Sequence, residues 1–218
     1  MSMQIKIMQN ILQANEKKAA EIRRLLVQKK VFMINLISSP GSGKTTLLEK
    51  TLPILKEKYQ VAVIEGDVET DRDARRLDNY GVPVALINTS GACHLESVSI
   101  EKALSVLDLD NLDLIFVENV GNLVCPAEFD IGENVKVAIL STPEGDDKPI
   151  KYPLLFREAS LVILNKIDLL EYVNFSLPNF YADLKNLHGN LEVIEASCKS
   201  GLGIDKWINW LTSQLSKF

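Results

Sequence analysis

The stretch Ser38-Ser39-Pro40-Gly41-Ser42-Gly43-Lys44-Thr45-Thr46 constrains this chain more than any other. An apolar run over residues 31–37 precedes it and reads as a buried strand. Leu47-Leu48-Glu49-Lys50 follows and reads as the first turns of a helix. Strand, glycine-rich loop and helix in that order are what a phosphate-binding P-loop requires. Successive backbone N–H groups then point into one concavity, and the helix dipole favours an anion there. Lys44 is expected to reach the β- and γ-phosphates, the Thr45 hydroxyl to ligate Mg²⁺ and Thr46 to bond the α-phosphate. The full pattern G-x-x-x-x-G-K-[ST] opens with glycine, where this chain has Ser38. The core Gly41-Ser42-Gly43-Lys44-Thr45 is intact.

The bulk properties bound the rest. At 218 residues the chain suits one α/β domain with a substantial core. A net charge of -5 and a pI near 5.2 supply no global field to attract nucleic acid. No apolar run approaches a membrane span. Residues 1–13 lack an apolar core and a small-residue cleavage site, so no signal peptide is expected. Three cysteines, an odd number, argue against a disulfide framework and for a reducing, cytoplasmic setting.

Taken in order, residues 1–30 predict an amphipathic helix. Ile7, Ile11, Ala14, Ile22, Leu25 and Leu26 recur at helical spacing, with Lys17-Lys18 and Arg23-Arg24 between them. Such a helix either packs on the domain of residues 31–218 or docks a partner protein. Further strands are expected at 61–64, 83–87, 113–117, 135–140, 161–164 and 191–194. Helices are expected from about Thr70 or Asp71 as N-cap, over 95–107, around Phe180 to Leu187, and from Ile204 to Leu215. Strands alternating with helices imply an α/β fold with a mostly parallel sheet flanked by helices on both faces. Ligands of such sheets sit at the carboxyl ends of the strands. The chemistry-bearing residues fall there: the loop from Ser38, then Asp67, Glu118, Asn165 to Asp168, and Ser197 to Lys199.

Asn165-Lys166-Ile167-Asp168 reads as a guanine-recognition sequence. The ring N1–H and exocyclic amine of guanine are both donors, and the Asp168 carboxylate accepts both; adenine offers no such pair. Asn165 would bond the base and tie down the loop, and the stem of Lys166 would cover the ring face. Ser197-Cys198-Lys199 resembles the loop that braces the base. Asp67 and Glu118 each end a strand, where a P-loop enzyme needs an acid near Mg²⁺ or beside the attacking water; strand-end acids also cap turns. Lys44, Asp67 and Glu118 are therefore the catalytic candidates, and Thr45, Asp67 and Glu118 the Mg²⁺ candidates. Asp71 and Arg72 read as helix-start and surface residues. Cys93, His94 and Cys125 offer thiolate and imidazole ligands for Zn²⁺ or Ni²⁺. Three donors leave a four-coordinate site incomplete, and a lone cysteine equally serves as a small buried apolar residue.

Glu65-Gly66-Asp67 with Thr70 and Asp73-Ala74, then Cys93-His94-Leu95, the run from Glu118 to Pro126 and Asn165 to Asp168 together resemble the hydrogenase nickel-incorporation GTPases of the HypB family. The resemblance spans nearly the whole chain, and the stretch Glu118-Asn119-Val120-Gly121-Asn122-Leu123-Val124-Cys125-Pro126 is its most specific part. It implies a SIMIBI-type G protein that hydrolyses GTP slowly and dimerises in response to nucleotide. With a smaller metal-binding partner, HypA, such a protein helps deliver Ni²⁺ to the [NiFe] hydrogenase large-subunit precursor. By the same resemblance, Cys93, His94 and Cys125 bind Zn²⁺ or Ni²⁺ at the dimer interface. The sequence has no cysteine-rich motif at its N-terminus and no histidine-rich tract; with two histidines it is not expected to store nickel. The alternatives weighed beside this are a urease-type accessory GTPase, a P-loop small-molecule kinase, a partition-type ATPase (which would carry lysine where Ser39 stands) and a scaffold with structural nucleotide.

Overall fold

The computed structural model describes residues 3–67, 72–89 and 91–218, with side chains from Leu12 onward. In chain order its elements are α1 (Met3–Lys29), β1 (Phe32–Ser38), α2 (Lys44–Leu55), β2 (Val61–Asp67), α3 (Arg72–Asp78), β3 (Val84–Asn88), α4 (Ser97–Leu104), β4 (Leu114–Glu118), α5 (Cys125–Glu128), β5 (Val135–Ser141), α6 (Lys148–Lys151), α7 (Pro153–Glu158), β6 (Leu161–Asn165), α8 (Leu177–Leu187), β7 (Val193–Glu195) and α9 (Ile204–Lys217). The expected N-caps Thr70 and Asp71, and the side chains of Ile7 and Ile11, lie outside the described residues.

The seven strands form one sheet in the order β3-β2-β4-β1-β5-β6-β7, and every pairing is parallel. The α/β expectation is thus borne out. Parallel strands covered on both faces should read as continuous apolar runs, and β1, β4 and β6 are buried along their full length. Alternate residues of β1 feed opposite faces. Phe32, Ile34 and Leu36 join Leu47, Leu52, Trp207 and Leu211 under α2 and α9. Met33 packs with Ile22 and Leu26 of α1 and Ile100 of α4. Ile37 packs with Phe156 of α7 and Phe180 and Leu184 of α8.

The N-terminal helix packs on the domain. Ile22 and Leu26 are core residues, Asn15 bonds Ser97 and Asp130, and the Arg23 guanidinium meets the Asp130 carboxylate at 2.7 Å. Two helix ends differ from the expectation. The helix expected over 95–107 runs only over Ser97–Leu104. Glu96 is extended, and the Ser105 hydroxyl donates back to Lys102 O at 2.7 Å, so the chain turns before Leu107. Leu187 ends α8 two residues before Gly189, with His188 extended. Because all strands run the same way, Ser38, Asp67, Glu118, Ser141 and Asn165 end at one edge of the sheet, and β1 lies between β4 and β5, where the strand order reverses.

Candidate nucleotide and metal sites

Two cavities share the loop between β1 and α2. The first, of about 420 Å³, is lined by Gly41, Gly43, Lys44, Thr45 and Thr46 of that loop, by Glu65 and Asp67 of β2, and by Glu118 of β4. The second, of about 460 Å³, is lined by Gly43, Thr46, Asn165, Lys166, Asp168, Cys198 and Lys199. One long polar ligand can lie across both, with its charged end on the loop and a flat end against Asp168. Ser42 and Ser197 are the sequence candidates whose side chains turn elsewhere. The Ser42 hydroxyl donates to Glu144 Oε1 at 2.7 Å, with Ser39 O standing 2.9 Å away, and Ser197 Oγ accepts from Ser200 N within its own turn.

The loop conformation has a local cause. Gly41 and Gly43 have φ of 77° and 102°, a region L-residues avoid. A Cβ on Gly43 would lie 2.5 Å from Asn165 Nδ2. That amide donates to Ser42 O at 2.8 Å, while Asn165 Oδ1 accepts from Cys198 N at 3.1 Å. Asn165 thus ties three loops together, and the tie needs a glycine beneath it. Lys166, in the left-handed region at φ 59°, stretches across the second cavity with Nζ donating to Gly41 O at 2.7 Å. Its aliphatic stem is the surface on which a planar ring would lie. Cys198 sits in the core, where burial pushes its thiol up to about 11, so its backbone is what faces the loop.

The first cavity is organised by a buried carboxylate pair. Glu65 and Glu118 are partners in the register of β2 and β4 and so project on the same face. Thr45 Oγ1 donates to Glu118 Oε1 at 2.7 Å, while Glu65 Oε2 and Glu118 Oε2 are buried without a hydrogen-bond partner. Burial pushes both carboxyls well above the ordinary carboxylate range, and the charge of Glu118 adds to the shift of Glu65. Lys44, itself pulled down by burial, is the cation that opposes this, and its Nζ rests on Ser38 Oγ at 2.9 Å. Serine in the place of the usual glycine therefore supplies the lysine's resting partner. Two orphaned carboxylate oxygens beside a hydroxyl form a hard-oxygen donor set of the kind Mg²⁺ takes. Across the cavity the Arg76 guanidinium is held by Glu49 and Asp73.

Sequence reasoning passed over Glu65. Its signal was the close spacing Glu65-Gly66-Asp67, which sets two acids around a glycine at one strand end. It also passed over Glu144, whose Oε1 accepts from Ser42 Oγ, Ser141 N and Ser141 Oγ behind the loop.

The third constellation is the sulfur–imidazole cluster. The ligand atoms of Cys93, His94 and Cys125 lie within 4.8 Å of one another. Cys93 Sγ is 3.2 Å from Cys125 Sγ and 3.6 Å from His94 Nδ1. The imidazole leans on Phe129, the rings tilted 36° with centroids 4.0 Å apart. Its Nε2 is buried without a hydrogen bond, the Glu96 carboxylate standing 3.8 Å off. Burial holds His94 below its ordinary pKa and favours the neutral, ligating form, whereas the neighbouring Cys93 thiol pushes Cys125 up. Two soft sulfurs and an imidazole suit Zn²⁺ or Ni²⁺ and leave one position of a tetrahedral site open.

Residues 32–195 match the family CobW/HypB/UreG, nucleotide-binding domain. The chain belongs to that family. As one of its P-loop GTPases, this chain is an enzyme that hydrolyses GTP. The Hydrogenase maturation factor HypB of Escherichia coli K12 is 48% identical over 205 residues, which cover 94% of this chain and 71% of that protein. The Hydrogenase/urease maturation factor HypB of Helicobacter hepaticus is 47% identical over 206 residues, covering 93% and 84%. The crystal structure of HypB from Helicobacter pylori in complex with nickel superposes with a TM-score of 0.88 at 38% identity, covering 94% of this chain and 96% of that one. The P-loop kinase and partition-type ATPase readings give way to this family, and the SIMIBI-type fold expectation stands. No helix among the described residues is long and apolar enough to cross a membrane.

Proposed function

We propose that the chain is a GTP-driven nickel chaperone that helps insert Ni²⁺ into the [NiFe] hydrogenase large-subunit precursor in the cytoplasm, working as a nucleotide-controlled homodimer with a HypA-type partner. The observation that carries the reading is the Cys93, His94 and Cys125 cluster within 4.8 Å, of which Cys125 lies on the segment that leads on from the strand end at Glu118. The naming of similar proteins as hydrogenase maturation factors and the nickel complex of a similar structure support it. The double naming of the Helicobacter hepaticus relative favours a second reading, in which urease is served as well.

The geometry supports a division of labour. The loop amides from Gly41 to Thr46 receive the phosphates, Lys44 leaves Ser38 for the β- and γ-phosphates, and Asp168 accepts the two guanine donors. Thr45, Asp67 and Glu118 would hold Mg²⁺, with Glu65 beside them; the ion's charge would neutralise phosphate charge in the transition state. Ligation by Thr45 and Glu118 would replace their mutual hydrogen bond and let the buried pair ionise, and Asp67 or Glu118 would orient the attacking water. The metal at the cluster is cargo, Ni²⁺ or Zn²⁺, and a second copy or a partner supplies the missing ligand. Nucleotide acts on it only if the GTP and GDP states differ in metal affinity or dimerisation.

Equilibrium dialysis with Ni²⁺ and with Zn²⁺, in GDP or a non-hydrolysable GTP analogue and beside sizing chromatography, tests this on wild type and Cys125→Ala. Metal held in a nucleotide-dependent dimer and lost in the variant is the expected result. Tight GTP binding with equal metal affinity and equal mass in both states would sink the switch.

A further inference from the structure

One residue that belongs to neither site touches both. Leu95 follows His94 and is buried. Its side chain lies over Gly66, between Glu65 and Asp67 at the end of β2. A Cβ on Gly66 would come within 2.8 Å of Leu95 Cδ1 and 2.9 Å of Cδ2 and Cγ. The Leu95 backbone N–H donates to Asn119 Oδ1 at 3.3 Å, and Asn119 directly follows Glu118. Asn119 is itself fixed from below: its N–H donates to Leu36 O at 3.1 Å, and its Nδ2 donates to Asn35 Oδ1 at 3.1 Å, both on β1. Asn35 Nδ2 in turn donates to Glu133 Oε1 at 3.2 Å. Leu95 therefore contacts the two strand ends that carry Asp67 and Glu118, while its neighbour His94 packs at a tilt against Phe129.

We propose that Leu95 is a positioning residue that transmits the state of the nucleotide pocket to the His94 imidazole, through its side chain seated on Gly66 and its N–H held by Asn119. This rests on the reading of the cluster as a metal site. Close-packed interiors yield by discrete rearrangement rather than by continuous give. A displacement of Gly66 or Asn119 when Asp67 and Glu118 engage a ligand must therefore move Leu95, and His94 with it. Linkage makes the effect reciprocal, so metal at the cluster alters nucleotide affinity by the same factor.

The test uses the full chain. Zn²⁺ affinity is measured by equilibrium dialysis with GDP and with a non-hydrolysable GTP analogue, and fluorescent GDP affinity is measured with and without Zn²⁺. The ratio of the two Zn²⁺ affinities is expected to be about 5- to 150-fold in wild type and to fall to within about twofold of unity in Leu95→Ala. Leu95→Met, which refills the seat on Gly66, is expected to restore it. Asn119→Ser cuts the other contact without opening the Gly66 seat, so it carries the test if Leu95→Ala fails a thermal-melt check of folding. Ratios in Leu95→Ala and Asn119→Ser equal to wild type would overturn the inference and leave the proposed function standing. A wild-type ratio of one would overturn the inference, and joined by equal mass of the two nucleotide states on sizing chromatography it would sink the nucleotide switch as well.

Discussion

Gly43 has little freedom to change. Alanine there would have to occupy φ 102° and push its Cβ into Asn165 Nδ2. The backbone cost alone is about 1–2 kcal/mol. Gly43→Ala should lower the melting temperature by several degrees and weaken GDP binding, as a thermal melt and a titration would read. The buried pair makes a second prediction. Below the ordinary carboxylate value of 4.5, Glu65 and Glu118 are protonated folded and unfolded alike. Above it the unfolded chain ionises while folded Glu65, pushed up to about 11 by burial and by the charge of Glu118, keeps its proton, so this contribution to stability is lost as pH rises. In protein free of nucleotide and Mg²⁺, urea unfolding from about pH 6 to about pH 8 should show a more negative slope for wild type than for Glu65→Gln. An identical slope would mean the pair is already ionised.

Among elements, α1 separates burial from charge. Ile22→Ala empties a position in the core and should cost about 2–5 kcal/mol. Arg23→Ala removes a half-exposed ion pair with Asp130 and should cost about 0.2–1 kcal/mol. Chemical denaturation of the two variants checks the ordering. The elements were largely legible in the sequence because a covered parallel sheet writes itself as short apolar runs, and the loop after β1 and the residues Asn165 to Asp168 are local patterns. What was not legible is what pairs across the sheet. Glu65 meets Glu118 only through the register of β2 and β4, and nothing in the spacing of Cys93 and Cys125 brings their sulfurs to 3.2 Å. One trace was visible: Asn35 interrupts an apolar run in a strand buried throughout. It marks the hydrogen-bonded line from Glu133 to Asn119. Helix ends were least legible, since the turn past Leu104 is closed by short backbone bonds from Val106 and Leu107 and by the Ser105 hydroxyl, none of which periodicity shows.

At the scale of the whole molecule, the two cavities hang on one rigid sheet, so ligand binding should register as global stability. GDP at about 100 times its dissociation constant adds about 2.7 kcal/mol, or roughly 5–11 °C in melting temperature for a chain of this size. ADP should leave the melt unmoved. Asp168→Asn should exchange guanine for xanthine nucleotides, because the amide presents a donor where the carboxylate accepted; retained GDP affinity would show that Asp168 does not read the base. The segment from Glu118 to Cys125 has a different consequence. It is fastened to Thr45 by Glu118, to Leu36 and Leu95 by Asn119, to Cys93 by Asn122, and again to Cys93 by Cys125. With an anchor at almost every second position it has no slack, so it works as a ruler. Surface loops ordinarily tolerate changes of length. Here Val124, half exposed, can exchange its side chain freely, while a single inserted residue would put the sulfur of Cys125 out of step with the phosphate end of the molecule.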